Sequence, residues 1–224
     1  MLVNRRRLSL TTAGLLGGVG LFSLGGHAAT AQTPPAANPP ATTTPPAAAT
    51  PPAAKVEDHP LGRDDAPVTV IEYSSLTCPH CAEFQDTTFD AFKARYIDTG
   101  KVKFIQRDFP LDRLALSASV IAHCAGDRYP LFVDVMFKNQ RRWVLAEDPQ
   151  AALKQLAMAG GLDATRIDAC LADQALTDAV LQSRLKAQSE FKVDSTPTFI
   201  INGKGYPGAR SIDEFAKIID PLLG

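Results

Sequence analysis

Residues 68–84 read VTVIEYSSLTCPHCAEF: a β-branched and aromatic run, a three-residue link, then a pair of cysteines around Pro79 and His80. Val68–Ser74 follows Pro67 and has the composition of a strand. From Pro79 onward Phe84, Phe89, Phe92 and Tyr96 recur close to helical spacing, which predicts a helix over Pro79–Tyr96. Cys78-Pro79-His80-Cys81 therefore lies where a strand hands over to a helix. Two cysteines three apart on a first helical turn come within the Cα separation that a disulfide tolerates. Cys78 at the helix N-terminus meets unpaired N–H groups and the positive end of the dipole, so its thiolate is favoured and its pKa falls below about 8.5. Pro79 at the first helical position gives up no hydrogen bond. His80, when protonated, sets a cation beside the sulfur. Each pKa unit gained by the thiolate is about 1.36 kcal/mol, and stabilising the reduced dithiol makes the disulfide a stronger oxidant.

Outward from this stretch, Lys101–Arg107 alternates as a second strand, and Leu111–Gly126, Pro130–Asn139, Asp148–Gly160, Asp163–Ala172 and Asp173–Phe191 read as Ala- and Leu-rich helices. Asp148-Pro149 and Asp163 have the composition of helix starts, and Gly160-Gly161 that of a stop. Strand signal returns at Thr198–Ile201, followed by the hairpin turn Asn202-Gly203, a short strand through Tyr206–Gly208 and a last helix over Ser211–Leu223. The order strand, helix, strand, helical block, hairpin, helix predicts an α/β fold with a helical insertion at about 111–191.

The chain begins as an address. Arg5-Arg6-Arg7-Leu8, an apolar Gly-rich run and Ala29-Thr30-Ala31 describe an export signal over 1–31, twin-arginine-like except that Leu8 stands where Phe is usual. An uncleaved anchor is the alternative, and either reading puts the domain outside the cytoplasm, in a periplasmic setting where disulfides persist. Residues 32–54 hold four Pro-Pro pairs and no charged or aromatic residue, the composition of an extended spacer. The folded domain is thus expected over 55–224. The formal charge of −1, from 23 basic and 24 acidic residues, argues against phosphate-neutralising nucleic-acid binding.

A CxxC pair is also half of many zinc sites, but zinc needs four ligands and Cys124 and Cys170 are too far apart in sequence to form a second close pair. A c-type haem needs His after the second cysteine, where this chain has Ala82. No metal and no cofactor beyond a redox-active Cys78–Cys81 disulfide is expected.

The CPHC at 78–81, the helical block inserted into a strand–helix–strand frame, and Ser195-Thr196-Pro197-Thr198-Phe199 before the hairpin together resemble the DsbA-like thiol:disulfide oxidoreductases of the thioredoxin superfamily. The resemblance covers roughly residues 55–224 and implies a thioredoxin-like fold. It implies a cis Thr196–Pro197 bond against the dithiol, with Thr196 and Pro197 receiving an extended substrate segment as in strand addition. It also implies a buried acid at Glu72, six residues before Cys78, moving protons as a thiol is deprotonated; a strand-end Glu turned to water is the plainer reading.

Cys124 and Cys170 fall in separate helices of the insertion. In an oxidising compartment they are expected to form a structural bridge, closing a loop of about 47 residues for about 4 kcal/mol, with two free buried thiols as the alternative. His123 is expected on a helix surface, and Arg141-Arg142-Trp143 as a solvated turn with a packed Trp, or as a partner patch.

The expected activity is oxidation of reduced or unfolded exported proteins by a monomer, with an exposed Cys78 forming the mixed disulfide, Cys81 resolving it, and a membrane partner restoring the dithiol to a disulfide. Two rivals stand beside it. One is disulfide isomerase or reductase activity, since Thr before Pro197 also occurs among isomerases. The other is a non-enzymatic exported Cu(I)- or thiol-binding protein using Cys78 and Cys81 as soft ligands.

Overall fold

Four strands carry the frame: β1 (Val68–Ser74), β2 (Val102–Asp108), β3 (Thr198–Ile201) and β4 (Lys204–Pro207), in the order β2-β1-β3-β4. The computed structural model describes residues 56–224. The export signal read over 1–31, the spacer over 32–54 and Lys55 lie outside the described residues.

β1 and β2 run parallel, with Val68 opposite Val102 and Ser74 opposite Asp108. A parallel pair needs a crossover, and the helical run 79–97 supplies it. β3 pairs antiparallel with β1, setting Phe199 opposite Glu72, and β4 closes the hairpin on the outer edge. The hairpin turns through Asn202 (φ 45) and Gly203 (φ 84), two left-handed residues that match the twist of the flanking strands. With only two loop residues, β4 resumes at Lys204, earlier than the Tyr206 expected. Its side chains are mostly exposed, so apolar patterning gave little signal there.

The run 79–97, here α1, alternates α-helical turns (Pro79–Phe84, Asp90–Phe92) with π-helical turns (Gln85–Phe89, Lys93–Ile97), a departure from the plain helix expected. The wider turn accounts for the five-residue step from Phe84 to Phe89, because it returns both rings to one face, 6.0 Å apart edge to face. That face, with Phe92 and Tyr96, packs on Val68, Val70, Phe104, Phe199 and Ile201. The C-terminal helix Ile212–Ile219 adds Phe215, which meets Phe92 at 4.8 Å and Phe199 at 4.9 Å. It ends in a 3₁₀ turn over Asp220–Leu222, where Pro221 cannot continue an α-helix.

The other sheet face packs Tyr73 and Ile200 against Phe109, Ala187 and Val193. Between β2 and β3 lie the inserted helices α2 (Arg113–Cys124), α3 (Tyr129–Lys138), α4 (Gln140–Val144), α5 (Pro149–Ala159), α6 (Ala164–Ala172) and α7 (Gln174–Phe191). Asp112, Asp148, Asp163 and Asp173 cap four of them, each accepting a hydrogen bond from a backbone N–H three residues on. The insertion has its own core around Ile121, Phe132, Met136, Phe137, Trp143 and Leu153, and that core also contains Leu76, Cys78, Cys81 and Ala82. The cysteine pair thus lies in the seam between insertion and frame. Cys124 and Cys170 are disulfide-bonded, with Cα atoms 6.3 Å apart. Among the described residues no helix is long and apolar enough to cross a membrane.

Candidate active site

β1 ends at Ser74, and the link 75–77 delivers Cys78 to the N-cap of α1 in an extended conformation, with Pro79 as the first helical residue. Two side chains from the insertion hold this link. Gln140, itself buried, donates its amide to the carbonyls of Leu76 and Cys78, both at 2.9 Å. Thr77 donates to Asp112 at 2.6 Å, and Asp112 in turn caps α2.

Cys78 and Cys81 are free thiols in this structure. Cys78 is 6% exposed, less open to solvent than an attacking nucleophile at the surface was expected to be. Its Sγ lies 3.3 Å from the carbonyl oxygen of Thr196, to which the thiol donates. The Cys78 pKa is lowered to about 5: the hydrogen bond from the Cys81 thiol contributes most, burial opposes it, and the Thr196 side chain and the N–H groups of Cys81 and His80 add to it. The Thr196 hydroxyl is buried with no other partner, so the thiolate is the acceptor available to it. The N–H contributions are the physical content of the helix N-terminus invoked from sequence.

His80 enters differently than expected. Its ring is 70% exposed and faces Glu83 at 3.3 Å, and it acts on Cys78 through its backbone N–H. Pro79 is exposed beside it.

Cys81 is fully buried, and burial pushes its pKa far above the ordinary thiol range, reinforced by the hydrogen bond it donates to Cys78 and by the charges of Glu72 and Cys78. Glu72 is fully buried as well, with its pKa raised to about 8 by burial first and then by the charge on Cys78. Gln106 donates to its Oε2 at 3.4 Å, while Oε1 has no partner. The plainer reading of Glu72 as turned to water is therefore overturned: it shares a sheet face with Val68 and Val70, against the α1 side of the core.

The Thr196–Pro197 bond is cis. Pro197 is buried at the head of β3, where its carbonyl accepts from Gly208 at 2.8 Å. Cys78, Cys81, Glu72 and Thr196 are thus brought together; Cys124 and Cys170 lie in α2 and α6.

Sequence reasoning did not reach Gln140, which opens a five-residue helix too short for periodicity to reveal. It also misread His123. Instead of lying on a helix surface, its side chain is 7% exposed and paired with Asp108 at 2.6 Å. Burial opposes ionisation of Asp108, but His123 and the hydroxyls of Ser119 and Tyr129 hold its pKa below the usual carboxylate value. Arg141-Arg142-Trp143 form a helical turn with both arginines exposed and Trp143 buried. Among the described residues no group of three or more His, Cys, Asp or Glu side chains converges to hold a metal ion.

Comparison with known proteins adds an independent line. A family model described as Thioredoxin matches residues 54–221. The structure of alpha-DsbA1 from Wolbachia pipientis is 30% identical with a TM-score of 0.70, over 75% of this chain and 91% of that one. A protein-disulfide isomerase structure from Novosphingobium aromaticivorans, 24% identical with a TM-score of 0.67 over 76% and 99% of the two chains, shares the fold. A Rickettsia bellii protein named "Putative protein-disulfide oxidoreductase" is 34% identical over 65% of this chain, which spans 57% of that relative's length.

Proposed function

The chain belongs to the DsbA-like thiol:disulfide oxidoreductase family of the thioredoxin superfamily, and from that premise we propose that it is an exported dithiol oxidase that introduces disulfide bonds into other exported proteins through Cys78 and Cys81. The observation that carries the reading is the opposite displacement of two neighbouring thiols, Cys78 down to about 5 and Cys81 far upward. One sulfur is built to leave and the other to keep its proton.

The reaction starts from the Cys78–Cys81 disulfide. A client thiolate attacks Sγ of Cys78, a client–Cys78 disulfide forms, and the Cys78–Cys81 bond breaks with the electron pair on Cys81. Burial disfavours that anion, so it takes a proton, and Glu72, with a pKa of about 8, holds one to give at neutral pH. The client's second thiolate then attacks the client sulfur of the mixed disulfide. Cys78 departs as a thiolate, which its low pKa makes a good leaving group. Two electrons have passed from the client to the protein, and the client has gained one disulfide. Thr196 and Pro197 hold the client as an added extended strand, with the backbone of Thr196 beside Cys78.

Turnover needs an electron acceptor, which we assign to a membrane partner that reoxidises the dithiol. The Arg-led leader and the charge-free Pro/Ala-rich spacer at 32–54 support export and a domain held at a distance from the membrane. The protein acts as a monomer and uses no metal or organic cofactor in this scheme, the Cys78–Cys81 disulfide being the only redox group. The deciding measurement is the reduction potential of this couple against glutathione. A value well above about −270 mV is expected, and one near that of thioredoxin would remove the oxidase reading. In parallel, Cys78→Ser should stay folded and lose oxidation of a reduced client.

A further inference from the structure

Beside the dithiol runs a groove of about 640 Å³ that the chemistry above leaves without a role. Its lining includes Thr77 and Pro79, the residues on either side of Cys78. One wall is α1, with Glu83 and Asp86; the other is α4 and the residue after it, with Arg141, Arg142 and Leu145.

The second wall is rigidly set. Gln140 is tied to the carbonyls of Leu76 and Cys78, and buried Trp143 donates its indole N–H to the Met136 carbonyl at 2.9 Å. Arg141 and Arg142, lying between these two anchors, are exposed. Neither meets a carboxylate among the described residues, and the one side-chain partner of Arg142 is Asn139, at 3.4 Å. Lys138 on the same wall is already engaged by Asp134 at 3.0 Å. The described residues contain all 24 Asp and Glu but only 19 of the 23 Lys and Arg, so two neighbouring guanidiniums without a carboxylate partner run against the charge of the domain. Next to them Leu145 is 71% exposed, the most exposed large apolar side chain among the described residues.

We propose that this groove is a subsite for the polypeptide that reacts at Cys78, and that it selects extended segments carrying Asp or Glu and an apolar side chain close in sequence to the reacting cysteine. The inference rests on the proposed function, since it requires a cysteine-bearing chain at Cys78. Guanidinium groups bind carboxylates through paired, charge-assisted hydrogen bonds, and these two have no internal carboxylate to give up, only the long contact of Arg142 with Asn139. Leu145 supplies the apolar contact. Glu83, 3.3 Å from His80, and Asp86 put the carboxylates on the facing wall. The groove is therefore polarised across its width, and a segment crossing it is oriented with its carboxylate toward Arg141 and Arg142.

The test uses the oxidised full chain and two dithiol peptides differing only in Asp-Leu against Lys-Leu beside the reacting cysteine. Peptide oxidation is followed by acid quench and mass spectrometry. Each rate is divided by that peptide's rate with uncharged hydroxyethyl disulfide, and by the same protein's rate with dithiothreitol, so intrinsic thiol reactivity and any loss of folded protein cancel. The acidic peptide is expected to react about three- to tenfold faster at low salt, with the preference shrinking in 0.5 M salt. It should fall to about one or reverse in the Arg141→Glu, Arg142→Glu double variant. Equal corrected rates in the wild type, or a preference that survives the double substitution, would overturn the subsite alone. Failure of the wild type to oxidise either peptide or dithiothreitol would overturn the proposed function, and the subsite with it.

Discussion

The pH dependence of the reduction potential tests the sulfur chemistry most directly, because the protein's own protons are the perturbation. With a pKa of about 5, Cys78 at pH 7 is ionised about a hundredfold over its protonated form. That favours the reduced state by about 2.7 kcal/mol over a protein whose Cys78 ionises like ordinary cysteine. In a two-electron couple the same factor raises the potential by about 59 mV. Cys81 keeps its proton throughout, since burial holds its pKa far upward. Reduction therefore takes up two protons below pH 5 and one above it. The potential should fall by about 59 mV per pH unit on the acid side and about 30 mV per unit on the neutral side. Glu72 adds a feature at higher pH. The Cys78 thiolate is one cause of its raised pKa, and that charge is absent from the disulfide form. Reduction thus draws an extra proton just below pH 8, steepening the slope there, and Glu72→Gln should remove the steepening. Equilibration with glutathione buffers from pH 4 to 9, with acid trapping and mass analysis, gives the curve. A slope of about 59 mV per unit that persists unbroken through neutral pH would refute the assignment of the ionised sulfur to Cys78.

Glu72→Gln should also change stability with a defined sign. The folded pKa lies above the ordinary value of 4.5, so the neutral acid is the favoured folded form, and holding Glu72 costs nothing below pH 4.5 and progressively more up to pH 8. The substitution should thus stabilise the protein by up to roughly 3 kcal/mol at pH 7 and by almost nothing at pH 4.5, measured by denaturant unfolding; an equal gain at both pH values would contradict this. Gln140→Leu leaves the Leu76 carbonyl without a donor and the Cys78 carbonyl with the Ala82 N–H alone, and should cost about 1–3 kcal/mol while shifting the thiolate absorbance titration of Cys78 upward. A stability loss with an unmoved titration would reduce Gln140 to packing. Cys124→Ser should lower stability by up to about 4 kcal/mol under oxidising conditions, with the Cys78 titration unchanged; an altered titration would tie that bridge to the active site.

What the sequence disclosed follows the range of its signals. β1, β2, β3 and most inserted helices were legible because strands gather β-branched and aromatic residues, alternating in β2, and a capped helix repeats, as at Asp148 and Asp163. The helix N-terminus at Cys78 was legible for the same reason, being a consequence of order along the chain. β4 was placed two residues late because an exposed edge strand has little hydrophobic pattern to read. The π-helical turns of α1 left their mark in the five-residue step from Phe84 to Phe89, which helical spacing alone passes over. Gln140, the Asp108–His123 pair and the partnerless Oε1 of Glu72 left no mark, because each depends on which residues the insertion folds back against.

The asymmetry between the two thiols also lives at that longer range. A CxxC at a helix start lowers the first cysteine by N–H contacts that any such helix provides. The largest contribution at Cys78, however, is the hydrogen bond from Cys81, and Cys81 can donate it because its own ionisation is suppressed. Cys81 owes that suppression to full burial in a core shared with Ile121, Phe137 and Trp143 of the insertion. The insertion therefore acts on the chemistry twice: it buries the sulfur that must stay protonated, and through Gln140 it fixes the backbone that presents the sulfur that must not. Loosening the packing around Cys81 should let water reach it, lower its pKa and weaken its value as a donor. The Cys78 pKa would then rise although nothing touching Cys78 had been changed. Trp143→Phe, which keeps an aromatic ring but loses the pyrrole half of the indole and its hydrogen bond to Met136, is the mild form of that perturbation, read by the same thiolate titration.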